Sequence, residues 1–301
     1  MDLPVLKSAK TVEQGVEYAL STIEIEEKRD PSRLKYLRVS SFPFCGTQWL
    51  LNFPKAVTGK RAETFTGSFF TSVGTTVHNS IQAIMDRSPF LIQDWKCFAC
   101  GNVHTFCLRP KRCRKCKNEA LQGREHEYKD DILVGHLDGA MQLTNNAIDI
   151  LDYKTTSVRK FEEPGYLPDV GNVRQIEAYA ALKREQGFNV TGWTLIYILR
   201  NSAQRRYCTS TKFYGHSFEE EYPRILKRIA RYKKDFVCAA TAQELSDVED
   251  MVSRRRLRPD KEDTNDLCQY CQYKSLCVDN KKLTPRIENS IKVLVHKGMP
   301  K

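Results

Sequence analysis

The alternation of hydrophobic and polar positions along the chain predicts a mixed α/β protein. Helical stretches repeat apolar residues every three to four positions, and the strand-like stretches are rich in β-forming residues. In chain order the predicted elements are a helix at 11–28, a helix following 67–74, strands at 132–143 and 147–154 joined by a hairpin turn at 144–146, a helix at 173–186, a strand at 193–200 and a helix at 219–240. Strand, strand, helix, strand is the order of an α/β core, so we expect a central mixed sheet flanked by helices.

The last predicted helix, 219–240, is strongly amphipathic. Its apolar face is formed by Ile225, Leu226, Ile229, Phe236 and Val237. Its other face carries Arg224, Lys227, Arg228, Arg231, Lys233 and Lys234. We expect this basic face, with the arginines at 254–256, to contact phosphates, and Tyr222 and Tyr232 to be near enough to stack on bases. The alternative is an ordinary solvated basic face.

Charge and composition narrow the class of partner. The chain has 301 residues and a formal net charge of +11, which favours a polyanion such as DNA. No apolar run approaches the roughly 18–20 residues that span a bilayer, and the first ten residues lack a hydrophobic signal core. We therefore expect no membrane partner and a cytoplasmic protein, in a bacterium or a phage-infected host.

Two aspartates and a lysine on the predicted hairpin form a candidate catalytic set. Asp138 lies late on the first strand, and Asp152 and Lys154 lie near the end of the second. Period-two geometry puts Asp152 and Lys154 on one side, with Asp138 within reach from the neighbouring strand. Paired carboxylates suit Mg²⁺ or Mn²⁺, and phosphodiester cleavage needs such a cation. The alternative is a surface Asp–Lys pair at a strand end.

Further polar residues follow a fixed order around this set. His78 lies on the helix after Gly74, and Gln175 and Tyr179 share one face of the helix after the strands. This order resembles the RecB-like branch of the PD-(D/E)XK nuclease superfamily over roughly residues 37–280. The resemblance implies a restriction-endonuclease-like core and assigns these roles: metal binding by His78, Asp138, Asp152 and the carbonyl of Tyr153, catalysis by Lys154, and DNA positioning by Gln175 and Tyr179.

Three closely spaced cysteines near the end of the chain are one short of a four-thiolate site. They are Cys268, Cys271 and Cys277, and Cys45 is the obvious distant fourth. Spacing alone does not decide between zinc and an iron–sulfur cluster. The one-plus-three arrangement resembles the iron–sulfur RecB-type nucleases, including the CRISPR-associated exonucleases and the AddB nuclease domain, and implies one 4Fe–4S cluster on these four cysteines. The alternative is zinc held by the three late cysteines and a histidine, with Cys45 buried.

A second set of cysteines has the spacing of a zinc ribbon. Cys97 and Cys100 form one pair, and Cys113 and Cys116 form the other after twelve intervening residues. Paired knuckles of this kind match a tetrahedral Zn²⁺ site. His104 and Cys107, between the pairs, could substitute as ligands. We expect a small insert apart from the core, folded by its metal, whose cations contact DNA or whose surface docks a protein.

These features together predict four regions and one leading function. The regions are an N-terminal helical region at 1–93, the zinc-ribbon insert at 94–118, a nuclease core at 119–216, and a C-terminal helical region with the iron–sulfur cysteines at 217–301. We expect a metal-dependent DNA exonuclease acting on single strands or duplex ends, in recombination, repair or phage replication. A helicase or recombination protein is a possible partner. The alternatives are a non-catalytic DNA-binding recombination accessory protein and a CRISPR spacer-processing nuclease.

Overall fold

The computed structural model describes residues 23–25, 36–41, 61–63, 65–200, 202 and 204–241. The strands are β1 Ile23–Ile25, β2 Leu37–Arg38, β3 Arg61–Glu63, β4 Leu91–Cys97, β5 Val103–Leu108, β6 Leu121–Arg124, β7 His126–Lys129, β8 Leu133–Leu137, β9 Gly139–Gln142, β10 Ile148–Thr156, β11 Val190–Leu199 and β12 Arg205–Thr209. The α-helices are α1 Phe65–Met85, α2 Val158–Glu162, α3 Val170–Glu185, α4 Ser210–Tyr214 and α5 Phe218–Thr241. Short 3₁₀ helices cover Val39–Ser41 and Thr144–Asn146.

A seven-stranded mixed sheet forms the centre of the described fold. Its order is β12-β11-β10-β9-β4-β5, and β6 also pairs with β4. The β10–β11 pair is parallel and the other pairs are antiparallel. Helix α3 connects β10 to β11, as parallel neighbours require a crossover. The predicted α/β class, with a mixed sheet and flanking helices, is confirmed.

Two smaller sheets accompany the central one. Strand β8 pairs with β2 in parallel and with β7 in antiparallel orientation. Strands β1 and β3 form an antiparallel pair. The predicted helix at 11–28 is therefore wrong at Ile23–Ile25, where the alternation Ile-Glu-Ile suits a strand; the rest of that stretch lies outside the described residues.

Helix α3 fixes the main core against β10 and β11. Asp169 caps its first turn by accepting a hydrogen bond from the Gly171 N–H at 2.9 Å, and Gly187, with φ of 89°, follows its last turn. Eleven of its sixteen residues are buried, because the helix packs between the sheet and α5. Its buried apolar residues include Val173, Ile176, Ala180 and Leu182.

The segment predicted as a separate insert shares the central sheet. Strands β4 and β5 belong to that sheet, and Phe106 of β5 packs in the main core, although Trp95 is buried in a separate cluster with Cys97, Cys113 and Leu121. The expectation that residues 94–118 stand apart from the core is therefore wrong at its strands. The sequence concealed this because burial in β4 is continuous from Leu91 to Trp95 and does not alternate, so polar Gln93 and Asp94 are buried as well.

Helix α5 confirms the predicted apolar face and corrects the predicted basic one. Ile225, Ile229 and Phe236 are buried, whereas Val237 is 41% exposed. At least four of the six cations contact other groups of the molecule: Arg228 is buried against Glu177, Lys233 binds Asp130 at 2.5 Å, Arg224 pairs with Glu221, and Arg231 lies over the Tyr232 ring.

The aromatic residues of the same helix are also engaged within the protein. Tyr232 is buried, so it cannot stack on a base. Tyr222 donates a hydrogen bond to Glu185 and lies under the Arg184 guanidinium. Most of the α5 residues predicted to contact phosphates or bases are therefore engaged within the protein. The arginines at 254–256 lie outside the described residues. None of the described helices combines the length and apolarity needed to cross a bilayer.

Candidate metal centres

Asp138 lies where the chain leaves one sheet for another. It follows β8 and precedes β9, and the last β9–β10 pair joins Gly139 to Leu151. Beyond that pair, Asp152 to Thr156 have no strand partner on the β9 side among the residues that the structure describes. The Tyr153 N–H donates to Asp138 Oδ2 at 2.6 Å and fixes the orientation of this buried carboxylate. The break between sheets thus turns Asp138 towards the end of β10.

Two residues from other elements approach the free oxygen of Asp138. His78, on α1, brings its Nε2 to 3.7 Å from Asp138 Oδ1 and to 3.1 Å from Glu125 Oε1. Glu125 follows β6 directly. The imidazole and the two carboxylates form one group whose ligand atoms all lie within 4.8 Å of one another. The structure therefore brings the predicted pair His78 and Asp138 together and adds a third donor.

Glu125 is the residue that sequence reasoning missed. Its neighbourhood holds several acidic residues, and nothing in the spacing separates Glu125 from Glu127. The difference is in the fold: Glu125 is partly buried against His78, whereas Glu127 is exposed and its carboxylate lies 3.6 Å from His136. Only the position of β6 beside α1 distinguishes the two.

Asp152 and Lys154 lie on one side of β10, as period two requires. Lys154 Nζ is 2.8 Å from Asp152 Oδ2 and 3.4 Å from Gln175 Oε1. Asp152 is almost fully buried and faces the lysine, so it is not part of the three-residue donor group. Tyr179, one turn after Gln175, is buried with its hydroxyl close to Gly135, where an added Cβ would lie 2.7 Å from that oxygen. The predicted Gln175 and Tyr179 are thus beside the acidic residues.

The electrostatics of this centre indicate an excess of negative charge. Burial, and then the charge of Asp152, raise the pKa of Asp138 well above its usual range. Burial works against the charged amine of Lys154, but Asp152 and Asp138 outweigh it and raise its pKa. The hydrogen bond to Glu125 raises the pKa of His78 and lowers that of Glu125. The positive charges of Lys154 and His78 therefore do not fully neutralise the carboxylates of Glu125, Asp138 and Asp152.

The donor set fits a hard divalent cation. Carboxylate oxygens and an imidazole nitrogen are ligands for Mg²⁺ and Mn²⁺, and a cation here would offset the burial and the Asp152 charge that raise the pKa of Asp138. The group also opens on a cleft of about 520 Å³. Residues lining that cleft include His78, Glu125, Lys154 and Arg200. A polyanionic chain in this cleft would meet the lysine and the donor group together.

A buried polar network joins the two elements that carry His78 and Glu125. Asp86, just after α1, accepts hydrogen bonds from Gln93 Nε2 at 2.6 Å and from the Gly123 N–H at 3.0 Å. Gln82 of α1 donates to the same Gln93 side chain. A Cβ on Gly123 would lie 1.8 Å from Gln93 Nε2 and 2.1 Å from Asp86 Oδ1, so this position requires glycine. The network therefore fixes β6 against α1.

The four predicted ribbon cysteines form a second candidate centre. Cys97 Sγ lies 3.5 Å from Cys116 Sγ, and Cys100 Sγ lies 3.7 Å from Cys113 Sγ. Thiolates about 2.3 Å from a tetrahedral Zn²⁺ lie about 3.8 Å apart, so these separations fit the ion. All four ligand atoms fall within 4.8 Å of one another. Neither Cys107 nor His104 belongs to the group.

The two knuckles of this cluster have the same backbone conformation. The Cys97 N–H donates to the Asn102 carbonyl at 2.9 Å, and the Cys113 N–H donates to the Asn118 carbonyl at 2.7 Å. Gly101 and Lys117, at the matching positions, have φ of 70° and 63°. A lysine rarely adopts this left-handed conformation, and its presence here indicates that the knuckle imposes it. The repeated geometry is what a site with four equivalent thiolates needs.

One thiol of the cluster is strongly acidified. Hydrogen bonds, the largest from the Cys116 backbone, lower the pKa of Cys113 to about 6, and buried His104 contributes a further one. A thiolate is the form that binds metal, so Cys113 is ready to ligate at neutral pH. Neighbouring thiols, by contrast, raise the pKa of Cys116 to about 12 despite a backbone hydrogen bond from Asn118. Ionising all four would need a cation among them.

The remaining predicted cluster falls elsewhere in the chain. Cys45, Cys268, Cys271 and Cys277 all lie outside the described residues.

The chain shares its sequence pattern with one superfamily. No curated protein matches it. A solved structure described as "Crystal structure of SSO0001" is similar at 11% identity, covering 90% of this chain and 95% of that one with a TM-score of 0.34. The profile of the PD-(D/E)XK nuclease superfamily matches residues 34–278. Members of that superfamily are generally nucleases that use divalent metals. Since the match covers most of the sequence, including every residue of both centres, the chain belongs to the PD-(D/E)XK nuclease superfamily.

Proposed function

We propose that the protein is a Mg²⁺- or Mn²⁺-dependent deoxyribonuclease whose cation is held by His78, Glu125 and Asp138. The observation that carries the proposal is that His78 and Glu125 line one cleft with Lys154, and that Asp138 completes a donor group with them. Asp152 binds Lys154, and the carbonyl of Tyr153 remains a predicted ligand from the resemblance to RecB-like nucleases. A bound cation would polarise the scissile phosphate and lower the pKa of an attacking water.

The protein's own residues prepare the site for that chemistry. The Tyr153 N–H holds one oxygen of Asp138 and leaves the other facing His78. Glu125 Oε1 lies 3.1 Å from His78 Nε2, so these two ligand atoms already face each other. Gln175 and Asp152 hold the Lys154 amine from two sides. Because these groups are fixed before the substrate arrives, little reorganisation is needed during the reaction.

Lys154 acts in this proposal as a positive charge. Its neighbouring carboxylates raise its pKa, so the amine stays protonated at neutral pH. An ammonium at the edge of the cleft stabilises the negative charge that develops on the phosphate oxygens as the bond breaks. It does not serve as the base that removes a proton from water.

The test is cleavage of end-labelled single-stranded and duplex DNA with Mg²⁺ or Mn²⁺. We expect the parent to cleave and Lys154→Ala to lose about 100-fold or more of its rate. Lys160→Ala, which removes an exposed lysine that pairs with Asp169, is the matched control and should cleave like the parent. Equal cleavage by parent and Lys154→Ala would contradict the assignment. A parent that binds DNA without cleaving it would favour a non-catalytic DNA-binding protein.

Finer features of the activity follow from the resemblance to RecB-like nucleases. We propose an exonuclease or end-processing enzyme, acting on single strands or duplex ends in the cytoplasm, with a role in recombination, repair or phage replication. The product pattern of the same assay separates these modes, since an exonuclease releases short products from a labelled end. Closed circular DNA should resist it.

We also propose a 4Fe–4S cluster on Cys45, Cys268, Cys271 and Cys277, and Zn²⁺ on Cys97, Cys100, Cys113 and Cys116. The first rests on the spacing of the cysteines and the resemblance, the second on the sulfur separations. Protein purified without oxygen should hold four irons, four sulfides and one zinc per chain. Absence of iron from such a preparation contradicts the first assignment, and absence of zinc contradicts the second.

A further inference from the structure

The ribbon surface, defined as residues 96–117, has the densest positive charge of the described residues. Seven cations and no acidic residue occur in these 22 positions. They are Lys96, Arg109, Lys111, Arg112, Arg114, Lys115 and Lys117, all of them exposed. This segment alone accounts for much of the chain's formal charge of +11. A surface of this kind attracts a polyanion.

The cations of the ribbon surface differ from those of α5 in what they contact. Arg112 binds Glu119 at 2.9 Å, and Arg109 lies over the Trp95 ring. Within the described parts of the chain, no carboxylate forms an ion pair with the other five. On α5, by contrast, three of the six cations are engaged by acidic residues of the same molecule. The ribbon surface therefore keeps more of its charge for a partner.

An exposed aromatic ring lies at the tip of the same surface. Phe98, inside the first knuckle, is 69% exposed, the highest value among the described large apolar side chains. Its neighbour Cys97 has its Sγ 3.5 Å from that of Cys116, which Lys115 and Lys117 flank. The thiol cluster thus brings the chain segment that carries Phe98 close to the segment that carries these two lysines. An aromatic ring among cations is the combination that binds single-stranded nucleic acid, through stacking on bases and contacts to phosphates.

Strand β6 connects this surface directly to the acidic centre. Leu121 pairs with Cys97 at the ribbon end, and Arg124 at the other end precedes Glu125. Four residues of strand span about 13 Å. That length corresponds to about four nucleotides at most, because roughly 3.4 Å is the stacked rise of one strand in a duplex and an extended single strand covers more per nucleotide. A single strand held at Phe98 would therefore reach the cleft within a few nucleotides.

We propose that the ribbon surface binds single-stranded DNA, with Phe98 stacking on a base and Arg114, Lys115 and Lys117 contacting phosphates. The occupant is a nucleic acid strand because the surface combines uncompensated cations with one exposed ring. The inference rests on the proposed nuclease function. It adds that the substrate is single-stranded DNA and that the ribbon surface holds this strand outside the cleft.

The test is binding of a labelled oligothymidylate of about 20 nucleotides to the full chain with zinc bound and no Mg²⁺ or Mn²⁺ added. We expect Phe98→Ala to weaken binding about 5-fold or more and Phe98→Trp to restore it. Phe90→Ala removes another exposed ring, 59% exposed and outside the ribbon surface, and should bind like the parent. Zinc content measured on each variant checks that the knuckles remain formed.

The charge contribution is read from the salt dependence of the same binding. Replacing Arg114 and Lys115 together with glutamine should reduce the slope of log affinity against log salt by about 1.4, at roughly 0.7 for each phosphate that is no longer neutralised. Unchanged affinity in Phe98→Ala with zinc retained, an equal loss in Phe90→Ala, or an unchanged salt slope would each overturn the inference. Because no divalent cation is added, this binding experiment does not depend on DNA cleavage. If the protein fails to cleave DNA in the nuclease assay, the binding result still tests the ribbon surface.

Discussion

The two candidate metal centres are built in opposite ways. The thiol cluster takes four ligands from 20 consecutive residues, and each knuckle repeats the same backbone hydrogen bonds. The acidic centre takes its donors from helix α1, the end of β6 and the junction of β8 and β9, spread over 61 residues. The first depends on local conformation, and the second depends on the assembled fold. A site built from nearby residues can be predicted from their spacing in the sequence. A site built from distant residues can be predicted only when it is known which helices and strands pack together.

The two centres also differ in how their charge is prepared. In the thiol cluster, hydrogen bonds from the Cys116 backbone first, and then from His104 and other groups within residues 97–116, lower the pKa of Cys113 to about 6. In the acidic centre, burial and Asp152 raise the pKa of Asp138, and the balancing groups Lys154 and His78 come from separate elements. A change in a distant element should therefore disturb the acidic centre and leave the thiol cluster intact.

The largest expected effect comes from removing a ligand of the thiol cluster. Cys113→Ser should lower the zinc content to near zero and expose the arginines and lysines of residues 109–117 to trypsin, because structural zinc supplies about 10–16 kcal/mol to small zinc domains. Cys208→Ser, at a free cysteine on β12, is the control and should keep one zinc. Full zinc retention in Cys113→Ser would contradict a site built from these four local thiolates.

The next effect concerns the donor that spacing did not reveal. Glu125→Gln should raise the Mn²⁺ concentration for half-maximal cleavage by about 10-fold or more, since it replaces a charged carboxylate ligand beside His78 with a neutral amide. Glu127→Gln, two residues on and exposed, should leave that concentration unchanged. If both variants behave alike, Glu125 has no special role at the metal.

A smaller effect should follow from disturbing the network that fixes β6 against α1. Gly123→Ala forces a methyl group against Gln93 and Asp86, which should cost about 1–3 kcal/mol of unfolding free energy. Because the same network positions His78 and Glu125, the Mn²⁺ requirement should rise too, while zinc content stays at one per chain. An unchanged Mn²⁺ requirement in a destabilised protein would show that the network is only structural.

The smallest effect comes from the left-handed position in each knuckle. Lys117→Gly should raise the free energy of unfolding of the zinc-bound protein by up to about 1 kcal/mol, because glycine adopts φ of 63° without strain. Gly101→Ala, the reverse change at the matching position, should lower it by a similar amount, although no atom lies within 4 Å of the added methyl. Denaturant titration measures both, and equal stability of the two variants would contradict the equivalence of the knuckles.

How much the sequence predicts follows the same division between local and assembled features. The α/β class, the β9–β10 hairpin and the meeting of the four ribbon cysteines follow from periodicity and spacing. The single strand predicted at 132–143 is wrong at Asp138, where the chain breaks into β8 and β9 of different sheets. Glu125 does not, because only the fold separates it from Glu127. The strand character of residues 91–97 was hidden by continuous burial, which gives no alternation.

The prediction that the basic face of α5 contacts phosphates fails for a related reason. Helical spacing shows which side of a helix is charged, but it does not show which acidic residues from other elements lie beside it. Glu177 on α3 and Asp130 after β7 neutralise Arg228 and Lys233. A run of cations without nearby acidic residues, such as the ribbon surface, is the better sequence signal for a polyanion.

The most direct test of the acidic centre is a crystal structure of the zinc-bound protein soaked in Mn²⁺, with anomalous scattering measured at the manganese edge. Our account predicts one strong manganese peak within about 2.0–2.4 Å of His78 Nε2 and of carboxylate oxygens of Glu125 and Asp138. A peak bound by other residues, or no peak there at millimolar Mn²⁺, would contradict it.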